Sequence, residues 1–190
     1  ISTRAVRDGD GWLLSGAKQW ITSGDQAGVI VVWARTGGEG TRGLSCFLVE
    51  QGTPGLSVTR KEDKLGLRAS STVSLSFEEC RLSSGAQLGP EGAGFKIAML
   101  ALDGGRIGIA SQALGIARAA LAESVQYAKS RVQFGHPIAD FQAIQWMIAD
   151  SQTELSAAHL LTMRAALAKE QGVAFSQEAA MAKLFASEMA

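Results

Sequence analysis

Hydrophobic and polar positions alternate in short runs through the first half of the chain, then recur at three and four through the second. Val73, Leu75 and Phe77 alternate with Ser74 and Ser76, the period of two expected of a half-buried strand. Comparable runs at Thr3–Arg7, Trp12–Ser15, Lys18–Thr22, Val29–Arg35, Leu44–Glu50, Leu56–Arg60 and Thr72–Phe77 predict strands separated by turns. Asp8-Gly9-Asp10-Gly11 has hairpin chemistry, because Gly and Asp supply the unusual backbone angles of tight turns. Strands at this spacing predict an antiparallel barrel or sandwich.

No proline interrupts the stretch from Phe95 to Lys129, where Leu114, Ala117, Leu121 and Val125 form one helical stripe. Such a helix is roughly 50 Å long at about 1.5 Å per residue. Gly135 and Pro137 mark Arg131–Pro137 as a loop. A second helix is predicted from Asp140, read as its N-cap, with Phe141, Ile144, Ile148 and Leu155 along one side, ending near Gly172. A third runs from Ser176 to Ala190 without a stop signal. Long antiparallel helices with short connections make a bundle. The predicted fold class is therefore α+β in two domains: an antiparallel β-domain over residues 1–92 and a helical-bundle domain over 93–190. The start on Ile1 rather than Met, and the uncapped helix at Ala190, lead us to expect both domains to be incomplete.

Composition supports this division. Fifteen of the 22 glycines fall in residues 1–93, and 23 of the 30 alanines fall beyond residue 94, as turns and tightly packed helices respectively require. With 46% hydrophobic residues and 18 Lys+Arg against 18 Asp+Glu, the chain is not disordered and offers no electrostatic reason to bind nucleic acid. No apolar run approaches the roughly 20 residues of a membrane span. There is no Asn, hence no N-glycosylation site and a weak hint of heat tolerance. Cys46 and Cys80 make no CxxC pair and read as reduced, buried thiols.

Several motifs could carry chemistry. Gly38-Glu39-Gly40-Thr41-Arg42-Gly43 matches GxGxxG by letter but lies between two strands, so it reads as a hairpin loop and not a dinucleotide fingerprint. His136 and His159 have no carboxylate at ligand spacing, and no metal site is predicted. In Lys18-Gln19-Trp20-Ile21-Thr22-Ser23-Gly24, strand alternation places Trp20 and Thr22 on one face. That face is either an ordinary strand surface or an aromatic platform beside a hydroxyl, suited to a planar heterocycle. Asp103-Gly104-Gly105-Arg106 puts two glycines inside a helix, which implies close approach by another helix or a ligand. Its Asp and Arg can equally form an i,i+3 ion pair. Arg131-Val132-Gln133-Phe134-Gly135 offers a guanidinium beside an aromatic ring, suited to a phosphate and a purine, or simply solvated.

The order and separation of these motifs resemble the acyl-CoA dehydrogenase family over essentially the whole chain, as its middle β-domain followed by the first part of its C-terminal helical domain. Leu102-Asp103-Gly104-Gly105-Arg106-Ile107-Gly108 and the residues after it look most like the short-chain, butyryl branch. The resemblance implies FAD as cofactor, with Trp20, Ile21 and Thr22 packing on the isoalloxazine and the Thr hydroxyl directed at its reactive edge. It implies that Arg131, Phe134 and Gln142 hold the adenosine diphosphate half across a subunit interface, and that Asp103, Gly104, Gly105 and Arg106 line the acyl-CoA pocket. The implied reaction is α,β-dehydrogenation of a short-chain acyl-CoA to the trans-2-enoyl-CoA, a step of fatty acid β-oxidation. A carboxylate removes the α-proton and hydride leaves the β-carbon. Implied partners are an electron-transferring flavoprotein and further copies of the chain, as a homotetramer or homodimer. The compartment would be the cytoplasm in a bacterium and the mitochondrial matrix in a eukaryote.

Neither of the family's two positions for the basic Glu is filled. The Tyr-Glu-Gly-Thr-like stretch is absent before Ala190, and Gly105 occupies the alternative position one residue before Arg106. The catalytic base is expected beyond Ala190, and the 190-residue segment alone is expected to be inactive. Two other classes share the same features: a flavin oxidase or monooxygenase on this scaffold, and a non-catalytic β-plus-helical interaction module.

Overall fold

A computed structural model describes all residues 1–190, and the chain divides into two compact units, Ile1–Met99 and Leu100–Ala190. The first unit contains β1 (Arg4–Asp8), β2 (Gly11–Thr22), β3 (Val29–Arg35), β4 (Leu44–Glu50), β5 (Leu56–Lys61), β6 (Thr72–Leu82) and β7 (Gln87–Leu88). They form one mixed sheet in the order β5-β6-β2-β1-β3-β4-β7. The α+β class is as expected from the sequence, but the β part is no closed barrel. β5 and β7 remain at the ends of the hydrogen-bonded order, and β1 runs parallel to β3 through the pair Arg4↔Arg35.

Alternation builds the core of this unit. Val73, Leu75 and Phe77 are all buried and meet Trp12, Leu14, Val32, Phe47 and Val49. Trp12 and Phe47 pack edge to face with ring centroids 5.2 Å apart, and the Arg7 guanidinium covers Trp12 at 3.9 Å. The β1–β2 hairpin turns through Gly9 at φ 62°, as the first central residue of a type II′ turn requires.

Two strands are longer than the alternation predicts. Trp12–Ser15 and Lys18–Thr22 belong to a single β2, because Gly16 continues the strand beneath the N-terminal segment. A Cβ on Gly16 would lie 2.7 Å from Thr3 Cα, and Thr3 Oγ1 donates to Ala17 O at 3.0 Å. β6 continues to Leu82 after a change of phase: past Phe77 the buried positions become Cys80 and Leu82, with Glu79 at φ 50° in the break.

In the second unit α1 (Gly94–Ser130), whose first residues belong to the first unit, is followed by α2 (Gln142–Glu170) and α3 (Ser176–Met189). Ala110, Ala158, Ala165, Ala182 and Ala186 are fully buried with Leu114 and Leu155, so the helices approach through small side chains. Asp140 does not cap α2. Ile138–Asp140 form a turn of 3₁₀-helix, and extended Phe141 takes the cap position. α2 ends in a Schellman motif, with Gly172 N donating to Lys169 O and Val173 N to Ala168 O at 3.1 Å each, and Gly172 at φ 70°. No helix is long and apolar enough to cross a membrane.

The start of α1 is pressed against β4. A Cβ on Gly94 would lie 2.7 Å from Leu44 O, and Gly94 O accepts from Trp33 Nε1 at 2.8 Å. Gly94→Ala should therefore destabilise the first unit by about 1–3 kcal/mol. Urea unfolding measures this, and an unchanged midpoint would show that the contact is not made.

Candidate functional site

β2 loses its simple alternation near its end. Between Lys18 and Ile21 its register against β6 slips, and Trp20, inside the slip, has left-handed backbone with φ 57°. A bulky residue enters that region at a cost of order 1–3 kcal/mol, held there by its neighbours. The indole is 74% exposed, whereas Ile21 packs on the core and Thr22, paired with Thr72, faces solvent. The slip removes the alternation argument for a shared face, yet both Trp20 and Thr22 are presented to solvent, an accessible ring followed by an accessible hydroxyl.

The segment after Thr22 is tightly tied. Ser23 also has positive φ, 55°, and its N–H donates to Ser71 O at 2.9 Å. Ser71 is 7% exposed, and its hydroxyl donates to Asp25 Oδ1. Lys61 Nζ lies 3.9 Å from Asp25 Oδ2. The Ser71 hydroxyl first, with help from the Asp25 backbone and Lys61, holds the Asp25 carboxyl below the usual carboxylate range against partial desolvation. Sequence reading missed Asp25 and Ser71. The one available signal was the turn composition of Ser23-Gly24-Asp25, which says nothing of a partner 46 residues away. Lys18, half-buried, donates to Trp33 O at 2.7 Å, and burial lowers its pKa. Burial raises the thiol pKa of both free cysteines, Cys46 and Cys80.

In the second unit the predicted Arg131–Pro137 loop is a two-stranded hairpin of β8 (Val132–Gln133) and β9 (His136–Pro137). Its two central residues, Phe134 and Gly135, have φ 51° and 84°, the type I′ requirement. Asn-Gly is the favoured pair there; Phe134 instead projects a ring that is 90% exposed, edge-on to Phe141 with centroids 6.3 Å apart. Arg131 and Gln142 are also exposed, Gln142 being the first residue of α2. Arg131 joins none of the chain's ion pairs.

Asp103 and Arg106 of α1 form the i,i+3 ion pair, and Ser176, the first residue of α3, donates to the other Asp103 oxygen. Asp103 is 8% exposed and so serves as a tie between helices. The adjacent glycines are open: nothing lies within 4 Å of a Cβ on Gly105, and Lys169 Nζ lies 3.3 Å from one on Gly104. No three His, Cys, Asp or Glu side chains gather where they could hold a metal ion. Trp20, Ile21 and Thr22 thus belong to the first unit, and the other seven predicted site residues to the second.

Known proteins of similar sequence and fold carry both units. Residues 1–80 match the acyl-CoA dehydrogenase middle domain, and residues 92–190 match the acyl-CoA dehydrogenase C-terminal domain. The chain is 54% identical over 190 residues to the mitochondrial short-chain specific acyl-CoA dehydrogenase of Bos taurus, covering 100% of this chain and 46% of that protein. The butyryl-CoA dehydrogenase structure of Megasphaera elsdenii superposes with a TM-score of 0.94 at 46% identity, covering 100% of this chain and 50% of that one. A chain from the electron transferring flavoprotein structure of Acidaminococcus fermentans gives 0.93 at 49% identity, with the same coverage. The chain spans about half the length of the curated relatives it matches.

Removing one partner of the Asp103 tie with Ser176→Ala should destabilise the second unit by about 1–2 kcal/mol, as expected for a hydrogen bond to a buried carboxylate. Chemical denaturation followed by circular dichroism checks this; wild-type stability would show that the bond contributes nothing.

Proposed function

Because the chain belongs to the acyl-CoA dehydrogenase family, we propose that the protein carrying it is an FAD-dependent dehydrogenase that converts a short-chain acyl-CoA to the trans-2-enoyl-CoA. The observation that carries this reading is the exposed Trp20 ring, held out on strained backbone two residues before an exposed Thr22. A solvent-facing indole fixed this way is poorly explained by packing and well suited to a planar ring system. The remaining residues fit the other parts of FAD. Arg131 is an unpaired guanidinium suited to a diphosphate, and Phe134 at the hairpin tip offers a face for the adenine. Gln142 adds an amide beside them.

FAD, when bound, supplies the two-electron acceptor for the hydride of the acyl β-carbon. The chain's own residues bind and orient. Trp20 would form the wall behind the ring, Ile21 anchors that wall to the core beneath, and the Thr22 hydroxyl would supply a directed hydrogen bond at the ring's edge. Gly104 and Gly105 leave α1 without side chains where the thioester would pass, while the buried tie of Asp103 to Arg106 and Ser176 would hold that stretch of the helix in place. A carboxylate outside residues 1–190 removes the α-proton, since Gly105 stands where the family's alternative Glu would be. The relatives named above support short acyl chains as substrate and an electron-transferring flavoprotein as acceptor. Assembly as a homotetramer would complete the Arg131 side of the site. The compartment is the matrix in a eukaryote and the cytoplasm in a bacterium.

The reading is tested by anaerobic flavin bleaching. The intact protein with bound FAD should bleach on addition of butyryl-CoA, and residues 1–190 with added FAD should not. Bleaching by the segment alone would mean that the base lies within it; no bleaching by the intact protein would overturn the dehydrogenase assignment.

A further inference from the structure

The left-handed backbone at Trp20 needs something to hold it, and the segment immediately after it is unusually well tied. Ser23 N donates to Ser71 O at 2.9 Å, and Ala27 N and Gln26 N return to Ser23 O at 2.9 and 3.0 Å. Gly24 is packed so closely that a Cβ would sit 2.8 Å from Val73 Cγ2 and 3.0 Å from Ile21 Cγ2. Asp25 closes the arrangement from three directions: its carboxylate accepts from Ser71 just before β6 and faces Lys61 at the end of β5. Its carbonyl accepts from Gln51 Nε2 at 3.4 Å, just past β4. Ser71 also precedes Thr72, the partner of Thr22 across the ladder. A shift of Asp25 or Ser71 is therefore passed directly to Thr22 and, through the register slip, to Trp20.

We propose that the Asp25–Ser71 pair is a positioning clamp that fixes Trp20 and Thr22 in the orientation the flavin requires. Neither residue touches the cofactor; both act by holding the turn that ends the platform. The inference rests on the flavin reading given above, and its test separates the two.

The intact apo-protein is titrated with FAD, alongside the variants Trp20→Ala, Asp25→Ala, Asp25→Asn, Ser71→Ala and the double variant of Asp25→Ala with Ser71→Ala. Asp25→Ala and Ser71→Ala should each raise the FAD Kd about tenfold, a size set by the loss of one charge-assisted hydrogen bond. The double variant should be no weaker than either alone, since both remove the same bond. Asp25→Asn keeps an oxygen that accepts from Ser71 and should bind within about twofold of wild type. Wild-type affinity in Asp25→Ala and Ser71→Ala, with binding lost in Trp20→Ala, overturns the clamp and leaves the flavin reading intact. Wild-type affinity in Trp20→Ala as well overturns the flavin reading itself. Asp25→Asn as weak as Asp25→Ala overturns the hydrogen-bond basis of the clamp. Should Asp25→Ala fail to fold, Ser71→Ala alone decides, and wild-type affinity there overturns the clamp.

Discussion

The pairing of β2 with β6 is the constraint on which the site depends. The two strands share eight registered pairs broken at two places, and the breaks are of opposite sense. Near Ser15 the extra residue is on β6, where Glu79 has positive φ and its N–H donates to Ser15 Oγ at 3.3 Å. Near Ser74 it is on β2, where Trp20 has positive φ. One bulge cancels the other, so Trp12 and Leu14 at one end and Ile21 at the other all face the same core. Ile21 packs with the core only because the chain spends one residue outside the ladder just before it, and that residue is Trp20. Core packing and ring exposure are thus two consequences of a single register slip.

This also explains what could and could not be read from the sequence. Periodicity located every long strand and all three helices, because Val73, Leu75 and Phe77 or Leu114, Ala117 and Leu121 report burial directly. It misread the interior of β2, where Gly16 looks like a break and is a site of close approach to Thr3. It also stopped β6 at Phe77, because a bulge shifts the burial phase and so imitates the end of a strand. Closure of the sheet was beyond reach, since alternation reports faces and not the order of strands. Asp140 had the chemistry of a cap, but the 3₁₀ turn before Phe141 displaced it.

The candidate site was legible to a different degree. Trp20, Thr22, Arg131 and Phe134 stood out as residue types, and all four are exposed. Why they are exposed was hidden: two of them, Trp20 and Phe134, have left-handed backbone that nothing in their identity requires. Asp103 looked equally like an ion-pair partner and a pocket residue, and the structure gives it a buried tie to Ser176 and Arg106. Asp25 and Ser71 were invisible, because their bond joins segments brought together only when β2 pairs with β6.

The proposed flavin site would give the exposed Trp20 and Phe134 rings a purpose, and the most direct test of it is where the flavin ring sits. A crystal structure of the intact protein with FAD bound should place the isoalloxazine in van der Waals contact with Trp20, at about 3.5–4 Å, with Thr22 at its edge. A flavin bound elsewhere, with the Trp20 indole still facing solvent, would contradict the account.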